Sequence, residues 1–233
     1  MSIYGPLEHV GVAQVFQSAL LVSLLLLLLG WVVRRQLAAA NGGVVPDEGV
    51  TVRNVVELVV DGLANLAREN MGPEWRKWFP LVTTVFVFIL IGNLLNLIPG
   101  VGGPTADINT TAAWALISVL VSEYAGIRKH GMKYVQHFLG PSFEIAGWHV
   151  PILAFIFVPL ELIGHVARVV TLSIRLLANM FADHTLVVIF LGLVPIAVPA
   201  IFLGLGTMVS VLQAFVFALL TMVYIGLNLE DAH

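Results

Sequence analysis

The sequence predicts an all-α integral membrane protein with about five membrane passes and one amphipathic helix on the membrane surface. Of its 233 residues, 59% are hydrophobic and only 11% are charged, whereas soluble domains carry about 25% charged residues. Mean hydropathy is +0.97, and several apolar stretches are long enough to cross a bilayer as helices. The chain has no cysteine, which excludes thiolate catalysis and cysteine-held metal centres. We therefore expect a single membrane domain over residues 1–233.

The first half of the chain predicts a spanning helix, a surface helix and a helical hairpin. Residues 10–33 are an apolar run that two arginines close. Residues 51–70 place apolar side chains at helical spacing among charged ones, which is typical of an amphipathic helix lying on the membrane surface. Residues 79–98 and 112–127 are the next two predicted spans, and the loop between them contains proline and glycine.

Two long helices complete the prediction. Residues 149–194 would form one helix of roughly 65 Å, about twice the ~30 Å hydrocarbon core of a bilayer. We therefore expect this helix to be strongly tilted or to break, with Pro159 and Gly164 as the kink points. Pro195 and a second proline mark a turn before the last predicted helix, residues 200–229. The two long helices are expected to run antiparallel.

The basic residues predict the orientation of the chain in the membrane. All eleven Lys and Arg residues lie within 34–77, within 128–133, or at Arg168 and Arg175. Loops rich in Lys and Arg stay in the cytoplasm. The sequence therefore predicts an N-terminus outside the cell and a C-terminus inside it.

The residue that most restricts the possible functions is Arg175, because it lies deep in an apolar run. An arginine at the bilayer centre costs about 3 kcal/mol or more, and it cannot lose its proton to reduce that cost. Glu161 and Arg168 fall within about 40° of Arg175 on a helical projection, and Asn179 lies about 40° beyond it. One helix face thus carries a carboxylate, two guanidiniums and an amide. Arg168 either belongs to this functional face or forms an ion pair with Glu161, and Arg175 itself could be a structural ion pair.

The last predicted helix carries a second polar stripe, which spans about 120° and is centred near Ser210. Its members are Thr207, Ser210, Gln213, Thr221, Tyr224 and Asn228. Two facing polar stripes can line water-filled paths, whereas they cannot face lipid. With the predicted orientation, Asp183 and His184 lie in the outer half of the membrane and Glu161 in the inner half. We interpret this pattern as two half-channels separated by the fixed positive charge of Arg175.

The segment around Arg175 resembles a known family signature. Residues 173–182, SIRLLANMFA, resemble the R-L-x-x-N run of subunit a of F-type ATP synthases. The resemblance covers nearly the whole chain from Thr51, and it is closest to the bacterial and plastid branch. Further matching stretches are residues 76–80, 93–100, 106–111 and 212–217.

The resemblance implies the stator half of a rotary motor in a bacterial plasma membrane. Its implied partners are a ring of c subunits, the peripheral-stalk b subunits, the lipid bilayer and, indirectly, the catalytic ATPase head, with no nucleic acid. Arg175 would face the ring carboxylates and prevent a direct proton leak. No cofactor, metal or nucleotide site is implied for this chain. The implied proton pathway consists of Asp183, His184, Asn179, Gln213, Glu161, Ser210 and Tyr224.

The chain departs from the family pattern at His184, where many relatives carry glutamate, and at Gly206, where some branches carry a compensating His or Glu. The resemblance then implies that His184 and Asp183 together take up protons, since imidazole transfers protons near neutral pH. A relay of this kind favours H⁺ over Na⁺, which prefers an oxygen cage.

Several structural readings of these polar residues stay open. His184 could be a packing residue, Asn179 and Gln213 could merely bridge helices, and His149 and His165 could be structural or interfacial. Glu123, near a helix end, is expected to reach the membrane interface.

Two other functions compete with this reading. A proton-coupled secondary transporter could use Arg175 to bind an anionic substrate, but such folds carry inverted repeats, and none is visible in the sequence. An intramembrane metalloenzyme is a third possibility. However, His165 and His184 are separated by nineteen positions and show no H-E-x-x-H spacing.

Overall fold

The structure is a computed structural model that describes residues 14–39, 51–98, 102–131, 143–145, 148–150, 154–193 and 197–230. Over these residues the chain is almost wholly helical. Its long helices are α1 (Gln14–Ala39), α2 (Val52–Met71), α3 (Trp75–Asn96), α4 (Ile108–His130), α5 (Ala154–Leu193) and α6 (Ala197–Leu229). Two short strands, β1 (Phe143–Ile145) and β2 (Trp148–Val150), pair antiparallel between α4 and α5.

Four stretches of the described chain are long and apolar enough to cross a membrane. They are Val15–Gln36, Val52–Asn96, Ile108–His130 and Ala200–Leu229. These spans and the helical content confirm an all-α integral membrane protein. The second stretch contains both α2 and α3, which are joined by the 3-10 turn Gly72–Glu74. The membrane pass of α5 and the surface position of α2 stay predictions.

The helix ends differ from the sequence-based boundaries at several places. Helix α5 begins at Ala154 rather than at His149, because His149 pairs with Glu144 in the β1–β2 hairpin. Of the two predicted alternatives, a strongly tilted helix or a broken one, the structure excludes the break, since α5 continues through Pro159 and Gly164. The tilt and the kink points stay predictions. Pro159 is the sixth residue of its helix, where its missing N–H removes only one bond near the end. The predicted boundaries at residues 10–13, 99–101 and 194–196 lie outside the described residues.

The starts and ends of α2 and α4 follow from capping chemistry. The Thr51 hydroxyl accepts a hydrogen bond from the Asn54 N–H at 3.2 Å, and the Asp107 carboxylate accepts one from the Asn109 N–H at 2.8 Å. Both helices end at a glycine with positive φ, Gly72 at 62° and Gly131 at 58°. An L side chain would be strained in this conformation, so glycine determines where each helix stops.

Helix α6 lies at the centre of the bundle, in contact with α2, α3, α4 and α5. Along the contacts between the two helices, residue numbers rise on α5 while they fall on α6. Arg168 lies over Tyr224, Asn179 bonds Gln213, and Asp183 approaches Gly206. This order confirms that the two long helices run antiparallel. The fully buried residues of α6 include Ala214, Ala218, Met222 and Ile225.

The bundle has two chemically different ends. At the basic end, defined by Arg128, Lys129 and His130, the Lys129 ammonium donates to the carbonyl of Leu229. The ends of α4 and α6 and the start of α5 therefore lie on the same side of the bundle. At the far end, the Asn96 side chain accepts the Gly103 N–H at 3.2 Å, which folds the connection after α3 back onto that helix.

Candidate ion pathway

Arg175 lies on an exposed face of α5, while Leu172 and Leu176 on the neighbouring face are buried. The guanidinium forms no ion pair or hydrogen bond with any residue that the structure describes. This geometry disfavours a structural ion pair within the bundle. A permanently charged group at membrane depth needs an anionic or aqueous partner, and the described part of the chain supplies none to Arg175.

One turn beyond Arg175, an amide pair joins the two long helices. The Asn179 Nδ2 donates to the Gln213 Oε1 at 3.0 Å. Gln213 is buried, and its Nε2 has no hydrogen-bond partner among the described protein atoms. The pair does bridge α5 and α6, as the structural reading anticipated, but it also leaves one buried amide donor available to another group.

Farther toward the far end, Asp183 of α5 lies close to Gly206 of α6. A Cβ atom placed on Gly206 would lie 3.7 Å from the Asp183 carboxyl carbon and 2.7 Å from the Leu97 Cδ2. Gly206 therefore allows α6 to approach the point where Asp183 meets the end of α3. The Asp183 Oδ2 is buried and has no protein partner among the described residues. His184 follows on α5, but its side chain lies outside the described set and its role stays a prediction.

Buried polar atoms without a protein partner concentrate in this far half of the molecule. Buried polar groups nearly always bond to protein or water. Such a cluster on contacting elements is typical of a solvated path. The atoms concerned are Asn93 Oδ1 and Nδ2, Thr105 Oγ1, Asp183 Oδ2, Ser210 Oγ and Gln213 Nε2. Asn93 and Thr105 had no role in the sequence-based prediction.

A second polar cluster lies toward the basic end, between α4, α5 and α6. The Glu123 Oε1 lies 2.7 Å from the His165 Nε2, and the Asn228 Nδ2 donates to the same oxygen at 3.2 Å. Glu161 lies beside His165, with its Oε1 3.8 Å from the Nδ1. The Glu123 side chain is only 17% exposed and contacts two other helices. Its predicted reach to the membrane interface stays a prediction.

Arg168 contacts an aromatic ring rather than a carboxylate. Its guanidinium carbon lies 4.9 Å from the centre of the Tyr224 ring, which is a cation–π distance. The described contacts contain no Arg168–Glu161 ion pair, so the sequence-based alternative of an ion pair between them is not supported. Tyr224 is instead placed against the cation, next to the cluster around Glu123.

Arg175 lies between the two polar groups along α5. It follows His165 by ten residues, or roughly 15 Å, and precedes Asp183 by eight residues, or roughly 12 Å. The whole distance of about 27 Å is close to the ~30 Å hydrocarbon core. Within the described residues, no group of three or more His, Asp or Glu side chains could hold a metal ion.

The residues that sequence reasoning missed share with Arg175 a position inside an apolar run. Asn93 and Glu123 are polar groups inside apolar runs, where each one costs free energy unless it is used. Applied to every intramembrane polar residue, this argument would have selected both of them. It would not have identified their partners, since His165 and Glu123 belong to different helices.

Comparison with known proteins identifies similar chains. Residues 16–226 match the family described as ATP synthase A chain. The chain is 44% identical over 213 residues to ATP synthase subunit a 3 of Pelobacter propionicus, covering 91% of this chain and 86% of that protein. It is 41% identical over 227 residues to ATP synthase subunit a 1 of Syntrophotalea carbinolica, covering 97% and 90%. It is also 44% identical over 182 residues to ATP synthase subunit a of Geobacter sulfurreducens, covering 78% and 76%.

Proposed function

Because this chain belongs to the ATP synthase A chain family, we propose that it is the proton-translocating subunit a in the membrane sector of an F-type ATP synthase. The observation that carries the mechanism is the position of Arg175. It is exposed, it has no partner among the described residues, and it separates two groups of polar and titratable side chains along α5.

The far half of the molecule supplies the proton uptake path. Protons enter from outside the cell along the polar atoms near Asp183, with His184, Asn179, Ser210 and Gln213 as further members of the path. They protonate a carboxylate of the adjacent rotor ring. The neutral acid then rotates into lipid, because an ionised carboxylate would be too costly there.

The basic half supplies the release path, which contains Glu161 and Tyr224. Arg175 attracts the rotor carboxylate after it has lost its proton, and its fixed charge prevents a proton from passing directly between the two paths. A membrane potential contributes about 2.3 kcal/mol per charge per 100 mV to each transfer. The chain carries out no chemistry on ATP; the proton current turns the ring, and the catalytic head makes ATP.

The partners and location follow from the same reading. A ring of c subunits packs against the exposed face of α5, where Ile174 and Phe181 flank Arg175 as exposed apolar residues. Peripheral-stalk b subunits hold the chain in place, and the ATPase head is reached indirectly. The location is a bacterial plasma membrane, with the N-terminus outside and the basic end in the cytoplasm, as the positive-inside rule requires.

The substitution Arg175→Ala tests this proposal. We expect the complex to assemble at normal levels and to lose both ATP-driven proton pumping and proton-driven ATP synthesis, because the rotor carboxylate loses its counter-charge. Both activities are measured in everted membrane vesicles. The matched control is Arg76→Ala, which removes an exposed arginine outside α5 and should pump normally.

Two outcomes would contradict the proposal. Normal pumping by an assembled Arg175→Ala complex would exclude the role of this charge in transport. Purification of the wild-type chain alone, with no ring of small hydrophobic subunits and no ATPase head, would favour a proton-coupled secondary transporter instead.

A further inference from the structure

The Glu123–His165 contact requires a proton between the two side chains. The His165 Nδ1 lies 2.7 Å from the backbone carbonyl oxygen of Glu161. A carbonyl can only accept, so Nδ1 carries the hydrogen. The Nε2 on the other side of the ring then faces a carboxyl oxygen at 2.7 Å. Two lone pairs would repel at this distance, which means that the pair holds one proton, as imidazolium with carboxylate or as imidazole with carboxylic acid.

The contact has the distance of an ion pair. Ion pairs buried in proteins offer weak net stabilisation, since desolvation offsets much of their attraction. Stability alone therefore gives a poor reason to place two carboxylates around one imidazole in an apolar bundle.

The position of the cluster suits proton transfer. The side chains of Glu123 and His165 are 17% and 15% exposed, whereas Glu161 is 43% exposed. The cluster thus runs from the interior of the bundle to a carboxylate that the described chain leaves partly exposed. It lies at the basic end of α5, about 15 Å along the helix from Arg175.

We infer that Glu123 and His165 form a proton-release relay at the basic end, with Glu161 as its solvent-facing member and Asn228 as a positioning residue that holds the Glu123 carboxylate. The relay deepens the proposed function and rests on it.

One proton moves through the relay in each cycle. A rotor carboxylic acid loses its proton and becomes a carboxylate, and the pair gains that proton, changing from imidazole plus carboxylate to imidazolium plus carboxylate. Water at the basic end then takes the proton and becomes hydronium, which restores the pair. The 2.7 Å separation corresponds to the loaded form. Asn228 donates to the Glu123 oxygen and favours its carboxylate form in both states.

Every element packed around the pair supplies a group that affects its charge. Glu161 on α5 adds a second negative charge, and Arg168 on the same helix carries a positive charge that lies over Tyr224 of α6. Lys129 of α4 bonds the Leu229 carbonyl, one residue after Asn228. The cations near the exit oppose the accumulation of protons and thereby favour release.

The test uses the assembled complex in everted vesicles, whose outer medium contacts the cytoplasmic surface. ATP-driven pumping moves protons from that medium into the lumen, so the relay works in reverse and takes them up. Glu123→Gln and His165→Gln should each slow this pumping roughly tenfold or more. The rate profile against the pH of that medium should change, because each variant removes one titratable member of the pair. The profile against lumen pH should stay unchanged. The double substitution should be no slower than the slower single one, since both residues act in one relay.

Matched variants separate the relay from packing. Tyr124→Phe, next to Glu123 on α4, removes an exposed hydroxyl and should leave the rates and both profiles unchanged. Should the Gln variants fail to assemble, the exchange of Glu123→His with His165→Glu preserves the acid–imidazole pair and should restore pumping. An exchanged complex that assembles but does not pump would overturn the relay.

The result of Arg175→Ala in the same vesicles separates the two proposals. An inactive Arg175→Ala complex with unchanged rate and cytoplasmic pH profile in Glu123→Gln and His165→Gln would overturn the relay alone. Normal pumping by Arg175→Ala would overturn the proposed function, and the relay with it.

Discussion

Asp183 and Arg175 lie on one helix, and the proposed mechanism gives them different roles: Asp183 belongs to the uptake path, and Arg175 separates that path from the release path. Asp183 is separated from Arg175 by two turns of α5 and approaches the glycine of α6 at position 206. A larger residue at that glycine would displace the Leu97 side chain. In the proposed mechanism, the absence of a side chain at position 206 of α6 therefore leaves the uptake path dependent on the acid that α5 supplies.

Removing the acid at position 183 should slow proton uptake and spare release. We expect Asp183→Asn to reduce proton-driven ATP synthesis roughly tenfold or more, because the amide fills the same space and cannot exchange a proton at neutral pH. His184→Ala should also slow uptake if the imidazole shares this relay. Synthesis rates in vesicles with a varied pH on the uptake side measure both effects.

Asp183→Glu provides the control for this prediction, because it keeps a titratable acid and should retain most of the rate. Wild-type synthesis with Asp183→Asn would remove Asp183 from the path. An unchanged rate and pH profile with His184→Ala would make His184 a packing residue.

The residues that could be selected from sequence are those whose free-energy cost in a membrane is evident from a single helix. Arg175 is expensive in any apolar run, and Asn179 and Glu161 share its face at helical spacing, so no partner helix was needed to select them. Glu123 and His165 differ, because their meeting depends on how α4 and α5 rotate against each other. The spacing of residues along the chain does not determine how the two helices are rotated against each other.

The helices as elements were also easier to predict than their ends. Apolar length identified the spanning helices and helical spacing identified α2, but the start of α5 depends on a strand pairing that overrides the apolar pattern at residues 148–150. Helix α3 begins at Trp75, four residues before the predicted start, since Pro80 is tolerated near its N-terminus. Local signals of this kind compete with one another, and tertiary contacts decide between them.

The packing of α2 on α6 depends on one glycine. A Cβ atom at Gly226 would collide with the backbone carbonyl of Asn70, at the last turn of α2. Backbone cannot move aside as a flexible side chain can, so Gly226→Ala should destabilise the protein by about 1–3 kcal/mol. Thermal unfolding of the detergent-solubilised complex measures this loss.

Gly204→Ala is the matched control on the same helix. A Cβ atom there meets nothing within 4 Å, and alanine has the higher helix propensity. Its midpoint should equal or exceed that of the wild type. Equal midpoints for both variants would show that α2 does not rest on α6 at Gly226.

At the scale of the whole molecule, the two-path mechanism requires the two ends of the bundle to face different compartments. The basic residues gather where α4 and α6 end, and the polar atoms without partners gather toward the other end. The orientation follows from the distribution of charge, whereas each path also requires the helices to be assembled. Composition therefore predicts which end faces the cytoplasm, but not how either end is connected to Arg175.

The absence of cysteine from the chain allows this orientation to be measured directly. Glu230→Cys places a thiol just beyond α6 at the basic end, and Ala106→Cys places one in the exposed connection before α4 at the far end. In intact cells, a membrane-impermeant maleimide should label only the cysteine at position 106. In everted vesicles it should label only the cysteine at position 230. The unsubstituted chain should stay unlabelled in both. The reverse pattern would invert the bundle, so that Asp183 would face the cytoplasm and the Glu123–His165 pair would lie on the uptake side.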